Sequence, residues 1–174
     1  PLLVAAFTVY RPNPLSEPEL QPQSDSAAAA LAAQGFANDF PVRTPGSPTA
    51  HDATNWVAEQ LREFGLDTQI DRFHAKIPGR GEVELENVRA VRPGRSNQII
   101  VVVAHRDNSG ASPGANDNGS GTAALIELAR SFAASRVPPQ ALAPNNTILF
   151  LSSDGGAFGG LGAEHFASQY QFRD

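Results

Sequence analysis

The chain has 174 residues, 41% of them hydrophobic and 18% charged, which is enough for one domain with its own core. A net charge of −5 supplies no basic footprint and argues against a nucleic-acid partner. Cysteine is absent, which excludes disulfides and thiolate metal ligands.

The chain starts at Pro1 and contains no methionine, so it reads as a fragment or a processed product. Residues 1–10, PLLVAAFTVY, carry no charge. Spanning a bilayer takes about 20 apolar residues, so this stretch alone is too short. It reads either as a short buried element or as the tail of a truncated membrane anchor or signal segment. The following residues, Arg11 to Ser24, hold Pro12, Pro14, Pro18 and Pro22 among polar side chains. That composition suits an extended tether leaving a membrane. The expected organisation is an anchor stump and tether over residues 1–23, with the domain over 24–174 on the extracytoplasmic side.

Ser24 is the expected cap of an Ala-rich helix running to about Gln34, with Gly35 as its stop. Ser47-Pro48 is a helix start, serine at the N-cap and proline at the first helical position. Ala53, Val57, Leu61 and Phe64 then fall on one face, and Gly65 ends the helix. Asp67 to Phe73 and Val83 to Val91 read as strands around the Gly79-Arg80-Gly81 turn. Gln98 to Ala104 is a near-continuous apolar, β-branched run, the pattern of a strand buried on both faces of a parallel sheet. A helix from about Ser120 to Ala134 follows, with Leu125, Leu128, Ala129 and Phe132 on one face. A polar loop leads to a second buried strand, Thr147 to Ser152. Strand, helix and strand make a βαβ unit, so the two strands should be adjacent and parallel. The expected fold is α/β, a mixed, partly parallel sheet with helices on both faces.

Ligands of such sheets bind beyond the carboxyl ends of the strands. His105 and Asp154 both sit just past such an end. Imidazole is the commonest protein ligand for zinc, and its second nitrogen usually donates to a supporting carboxylate. Asp107 is placed to be that carboxylate. A lone strand-end histidine is more often structural, so His-x-Asp alone is a weak signal. Asp117 lies in a Gly/Asn-rich loop that opens a helix. There it is either an N-cap or turn aspartate, or a carboxylate bridging two metal ions. Glu164 and His165 read as the solvated face of a helix, and His51 and His74 as surface residues without a partner pattern.

The joint pattern is more specific than its parts. A hydrophobic strand, His105-x-Asp107, and then Gly-Ala-Asn-Asp-Asn-Gly-Ser-Gly opening a helix resembles metallopeptidase family 28. These are zinc aminopeptidases of the aminopeptidase S type, with glutamate-carboxypeptidase-like relatives. The segment Phe40-Pro-Val-Arg-Thr-Pro-Gly-Ser47 looks like the family's entry segment, Asn87-Val88 and Pro93-Gly94 like its second-strand region, and Thr147 to Ala167 like its next strand and helix. The resemblance spans about Phe40 to Ala167. It implies a zinc-exopeptidase fold, truncated at its C-terminal side, that acts on peptides. It implies His105 as a ligand of one zinc, Asp117 as the bridging ligand and Asp107 as the partner of the His105 ring. A missing C-terminal half would leave apolar surface uncovered around the Thr147 strand and the last helix.

One departure shapes the functional reading. After the second strand the family carries a Glu-Glu pair, the general base and a ligand of the other zinc. Here the segment reads Asp154-Gly-Gly-Ala-Phe-Gly-Gly-Leu-Gly162, so Gly156 stands at the base position and Ala157 at the ligand position. Neither side chain takes a proton or binds a metal. Asp154 is the one nearby candidate for a substitute base. The expectation is a zinc aminopeptidase-like domain of a membrane-anchored protein with impaired or lost catalysis and a peptide or protein ligand. The alternatives are an active aminopeptidase with a rearranged site, a one-metal hydrolase of other specificity, or a non-catalytic binding ectodomain.

Overall fold

In the computed structural model the residues described are 24–133 and 143–169. The proposed anchor and tether over residues 1–23 lie outside them. Four helices and four strands follow in the order α1 (Ser26–Asp39), α2 (Pro48–Glu63), β1 (Asp67–Ile77), β2 (Gly81–Arg92), β3 (Ser96–His105), α3 (Ser120–Ala133), β4 (Asn146–Ser153) and α4 (Leu161–Gln169). Among the described residues no helix is long and apolar enough to cross a membrane.

Local chemistry sets most of these boundaries. Ser47 caps α2 by accepting from the Ala50 N–H at 3.1 Å, with Pro48 next in the helix. The start of α1 differs from the sequence reading. Asp25, not Ser24, is the cap, its carboxylate accepting from the Ala27 and Ala28 N–H groups. Nor does Gly35 stop the helix, which continues to Asp39. The reason is tertiary: Phe36 and Ala37, just past the glycine, are buried. Phe36 packs against Phe40 and Trp56 at ring-centroid distances of 5.3 and 5.2 Å. Burying that ring outweighs the roughly 1 kcal/mol that glycine costs inside a helix.

The sheet order is β1-β2-β4-β3. The pairs β1–β2 and β2–β4 are antiparallel, while β3 and β4 are parallel, with Val102 opposite Phe150 and His105 opposite Ser153. The expected βαβ unit is therefore present, with α3 crossing between adjacent parallel strands. Side chains alternate across the sheet. Val88, Ala90, Ile148 and Phe150 meet α1, α2 and α3 on one face in the main core. Leu149 and Leu151 meet Phe166 of α4 on the other. Helices thus cover both faces, as expected.

Two expectations about burial are corrected. β4 is central, and its last six residues are all buried. β3, expected to be buried on both faces, is an edge strand among the described residues. Ile99, Ile100 and Val103 there are 50%, 48% and 53% exposed. The uncovered apolar surface accordingly lies along β3, not around β4 and α4. An apolar run reports that a strand is apolar, not how many neighbours it has; strand order decides that.

Candidate functional site

The parallel strands β3 and β4 end side by side, at His105 and Ser153. Each gives way to a loop, and the two loops meet. From β3 the chain runs through Arg106, Asp107 and Asn108 into a wide turn, Ala115–Gly119, that feeds α3. Asp117 sits in this turn with non-helical backbone angles, and the Asp117–Asn118 peptide bond is cis. From β4 the chain runs through Asp154 and Gly155 into the short turn Gly156–Phe158.

The three sequence-predicted residues of the first loop converge. His105 Nδ1 lies 3.3 Å from Asp107 Oδ1, and His105 Nε2 lies 3.3 Å from Asp117 Oδ1. The ring is thus aligned between a carboxylate below and a carboxylate above. Asp107 is almost fully buried, whereas the Asp117 side chain is largely exposed. The hydrogen bond to Asp107 raises the His105 pKa, burial opposes it, and the charges of Asp107 and Asp117 add to the rise. Asn118 Nδ2 donates to the His105 carbonyl at 3.0 Å and ties the turn to the strand end.

The second loop presents backbone where carboxylates would be expected. The Gly156 and Ala157 N–H groups donate to Asp107 Oδ1 and Oδ2 at 2.8 and 3.0 Å. Both oxygens of Asp107 are thereby engaged, and the turn is capped by a side chain from the loop that follows β3. Among the described residues no group of three or more His, Cys, Asp or Glu side chains is arranged to hold a metal ion. His105 and Asp117 present two donors of the right chemistry, and no third joins them. The described residues therefore fit part of a two-zinc site and not the whole.

Asp154 points elsewhere. It is 3% exposed, and its oxygens accept from the Glu86 N–H at 3.2 Å and the Gly155 N–H at 2.8 Å. The Arg106 Nη2 group stands 3.6 Å away. Burial raises the Asp154 pKa, and the Arg106 charge opposes that rise. This is the setting of a structural carboxylate that holds β2, β4 and the loop together. His165 is more than a solvated helix residue. Its ring stacks on Phe73 at 3.9 Å with an interplanar angle of 5°, and its Nε2 meets Asp71 at 3.2 Å. Glu164 and His74 are exposed, as expected. His51 is exposed too, but its Nδ1 contacts Glu86 at 3.0 Å.

Sequence reasoning missed two buried arginines that build the site. Arg43 is fully buried. Its Nε donates to the Arg106 carbonyl at 2.7 Å, Nη1 to the Phe40 and Pro113 carbonyls, and Nη2 to the Gly114 carbonyl at 3.1 Å. Its Cζ lies 4.7 Å from the centroid of the Phe36 ring. Burial lowers the Arg43 pKa, and the Asp107 charge works against that. Asn108 completes the clamp, donating to the Pro41 and Ser112 carbonyls and accepting from the Arg43 and Gly110 N–H groups. Arg106 donates to Thr54 Oγ1, the Ser152 carbonyl and the Glu86 carbonyl. The sequence around Arg43 carries no signal for this role, because three of its four acceptor carbonyls belong to Arg106, Pro113 and Gly114. Beside the site, a cleft of about 530 Å³ is lined by Ser47, His51, Val83, Glu84, Glu86 and Asp154 among others. Its glutamates belong to a cross-strand ladder, with Glu82, Glu84 and Glu86 opposite Lys76, His74 and Arg72.

Comparison with known proteins agrees with this architecture. A leucine aminopeptidase 1 of Trichophyton equinum is 31% identical over 142 residues, a match that covers 77% of this chain and 38% of that protein. A probable leucine aminopeptidase of Arthroderma otae is 31% identical over 149 residues, with the same coverage. The chain therefore spans well under half the length of the curated relatives it matches. Among solved structures, the zinc aminopeptidase BSAP from Bacillus subtilis superposes with a TM-score of 0.75 at 13% identity, covering 88% of this chain and 67% of that one. The glutaminyl cyclase of Fimbriiglobus ruber gives 0.74 at 20% identity, covering 90% and 59%. At these identities the superpositions speak for the fold alone. The sequence profile of Peptidase family M28 matches residues 87–174, which contain β3, β4 and every residue of the converging loops, and the chain belongs to that family.

Proposed function

We propose that this chain is part of a zinc aminopeptidase-like, peptide-recognising domain whose hydrolytic step is impaired or lost. The observation that carries this is the turn after β4. The positions expected to supply the general base and a metal ligand are Gly156 and Ala157, and their N–H groups face Asp107. Family membership supports zinc as the metal and peptides as the ligand class. His105 and Asp117 would hold one ion, which would supply Lewis acidity to a peptide carbonyl. Asp107 orients the His105 ring for either role. Asp154 is a poor substitute base, because its oxygens are engaged by two N–H groups and an arginine in the interior.

General acid–base assistance contributes roughly 10²–10⁴ in rate, so its loss alone should slow a competent peptidase by about that factor. The test is zinc-supplemented hydrolysis of amino-acyl anilides by the full-length protein, with and without a chelator, alongside calorimetry with short peptides. The reading expects peptide binding without chelator-sensitive turnover. Robust turnover that a chelator abolishes would overturn it and favour an active peptidase with a rearranged site.

Membrane tethering on the extracytoplasmic side is part of the same proposal. Its support is the uncharged stretch at residues 1–10 and the proline-rich stretch that follows. Deleting everything up to and including residue 23 from the full-length protein should release it from the membrane fraction. Retention in that fraction would count against the tether.

A further inference from the structure

The turn after β4 has not simply lost two carboxylates. We propose that His105 and Gly156 form a steric interlock that holds this site in a carboxylate-free state, so that an acidic side chain cannot be returned to position 156 by substitution there alone. The inference rests on the family reading of Gly156 as the base position, and it concerns whether that position can be refilled.

A Cβ placed on Gly156 would overlap His105 Cβ and Cγ and would lie 2.6 Å from His105 Nδ1. Real Cβ atoms do not make such approaches, so something would have to move. Backbone conformation is not what demands glycine here. Gly155, Gly159 and Gly160 of the same loop have positive φ, and Gly156 does not. Space is the constraint.

His105 cannot yield by changing rotamer, because the overlap includes its Cβ, which the strand fixes. Its residue is the last in register on the parallel ladder, opposite Ser153. Its carbonyl is held by Asn118 Nδ2, and its two ring nitrogens face Asp107 and Asp117. Neither can the turn swing away cheaply. Its first two N–H groups satisfy both oxygens of Asp107, which is 1% exposed, and withdrawing them would strand a buried carboxylate. Strand end, imidazole, Asp107 and turn are therefore one packed unit. What it leaves facing outward is a single imidazole nitrogen beside the Asp117 carboxylate.

A double-mutant cycle on the full-length protein tests the interlock, using Gly156→Ala, His105→Gly and the pair, read by thermal unfolding. Overpacking of this kind should lower the Tm of Gly156→Ala by about 5 °C or more. In the His105→Gly background, which lacks the obstructing atoms, the same Gly156→Ala change should be neutral or stabilising. An equal loss in both backgrounds, or no loss in either, overturns the interlock. If Gly156→Ala alone does not fold, folding of the pair supports the proposal and failure of the pair overturns it. A second arm measures bound zinc in Gly156→Glu/Ala157→Glu. The interlock expects a lower Tm and no gain in zinc per chain. One additional zinc with an undiminished Tm would overturn it while leaving the peptidase-like reading intact. Conversely, turnover by the wild type would sink the impaired-catalysis reading without touching the cycle.

Discussion

Replacing Arg43 with lysine keeps the charge and most of the volume, yet it should be costly. The guanidinium serves carbonyls from four chain positions, Phe40, Arg106, Pro113 and Gly114. Guanidinium has five N–H donors on a flat fork, whereas an ammonium has three on one atom. At least one buried carbonyl is therefore left without a donor, at about 1–3 kcal/mol. Loss of the contact with Phe36 adds roughly 0.5–1 kcal/mol. The expected destabilisation is about 2–4 kcal/mol, a large part of the roughly 5–15 kcal/mol that holds a domain together. For a chain of this length it should appear as a Tm lower by about 6–12 °C. Urea unfolding measures the loss directly. Amide hydrogen exchange over residues 106–114 should locate it, because these are the residues the clamp holds. A destabilisation under about 0.5 kcal/mol, the scale of an ordinary surface change, would refute the clamp.

Three further outcomes are expected. Arg106→Met should strand the buried Asp154 carboxylate and cost about 3–5 kcal/mol, whereas Arg106→Met with Asp154→Asn should recover part of that loss in urea melts. Burial disfavours the Glu86 anion, but bonds from Arg72, His51 and Thr54 outweigh it and hold its pKa below the usual value. The stability this contributes is present above the unfolded-state pKa of about 4.3 and is lost as pH falls through the lower folded value. Glu86→Gln should flatten the acid limb of a Tm-against-pH profile, and an unchanged limb would remove Glu86 as its source. Finally, the exposed β3 edge should make this 174-residue chain self-associate with increasing concentration, and Val103→Lys should suppress this in sedimentation velocity.

Much of this protein is legible one residue at a time. The start of α2 follows from Ser47-Pro48 because capping and a fixed φ are local effects. The βαβ unit follows from two apolar runs around an amphipathic helix, because crossover handedness is nearly universal and consecutive strands are usually neighbours. His105, Asp107 and Asp117 are readable as a group because a strand end and a glycine-rich loop bring them to one edge of the sheet. The tertiary structure alone decided the rest. The run of α1 through Gly35 depends on where Phe36 finds its partners. The edge position of β3 depends on strand order, which hydrophobicity does not encode. The buried roles of Arg43 and Arg106 depend on carbonyls contributed by segments tens of residues away. Position 156 makes the same point at the centre of the site. The sequence reads there as a missing glutamate, while the fold has already filled the space above Gly156 with His105. Local propensity acts over a few residues, but excluded volume acts between whichever atoms the fold brings together, and only the folded chain says which those are.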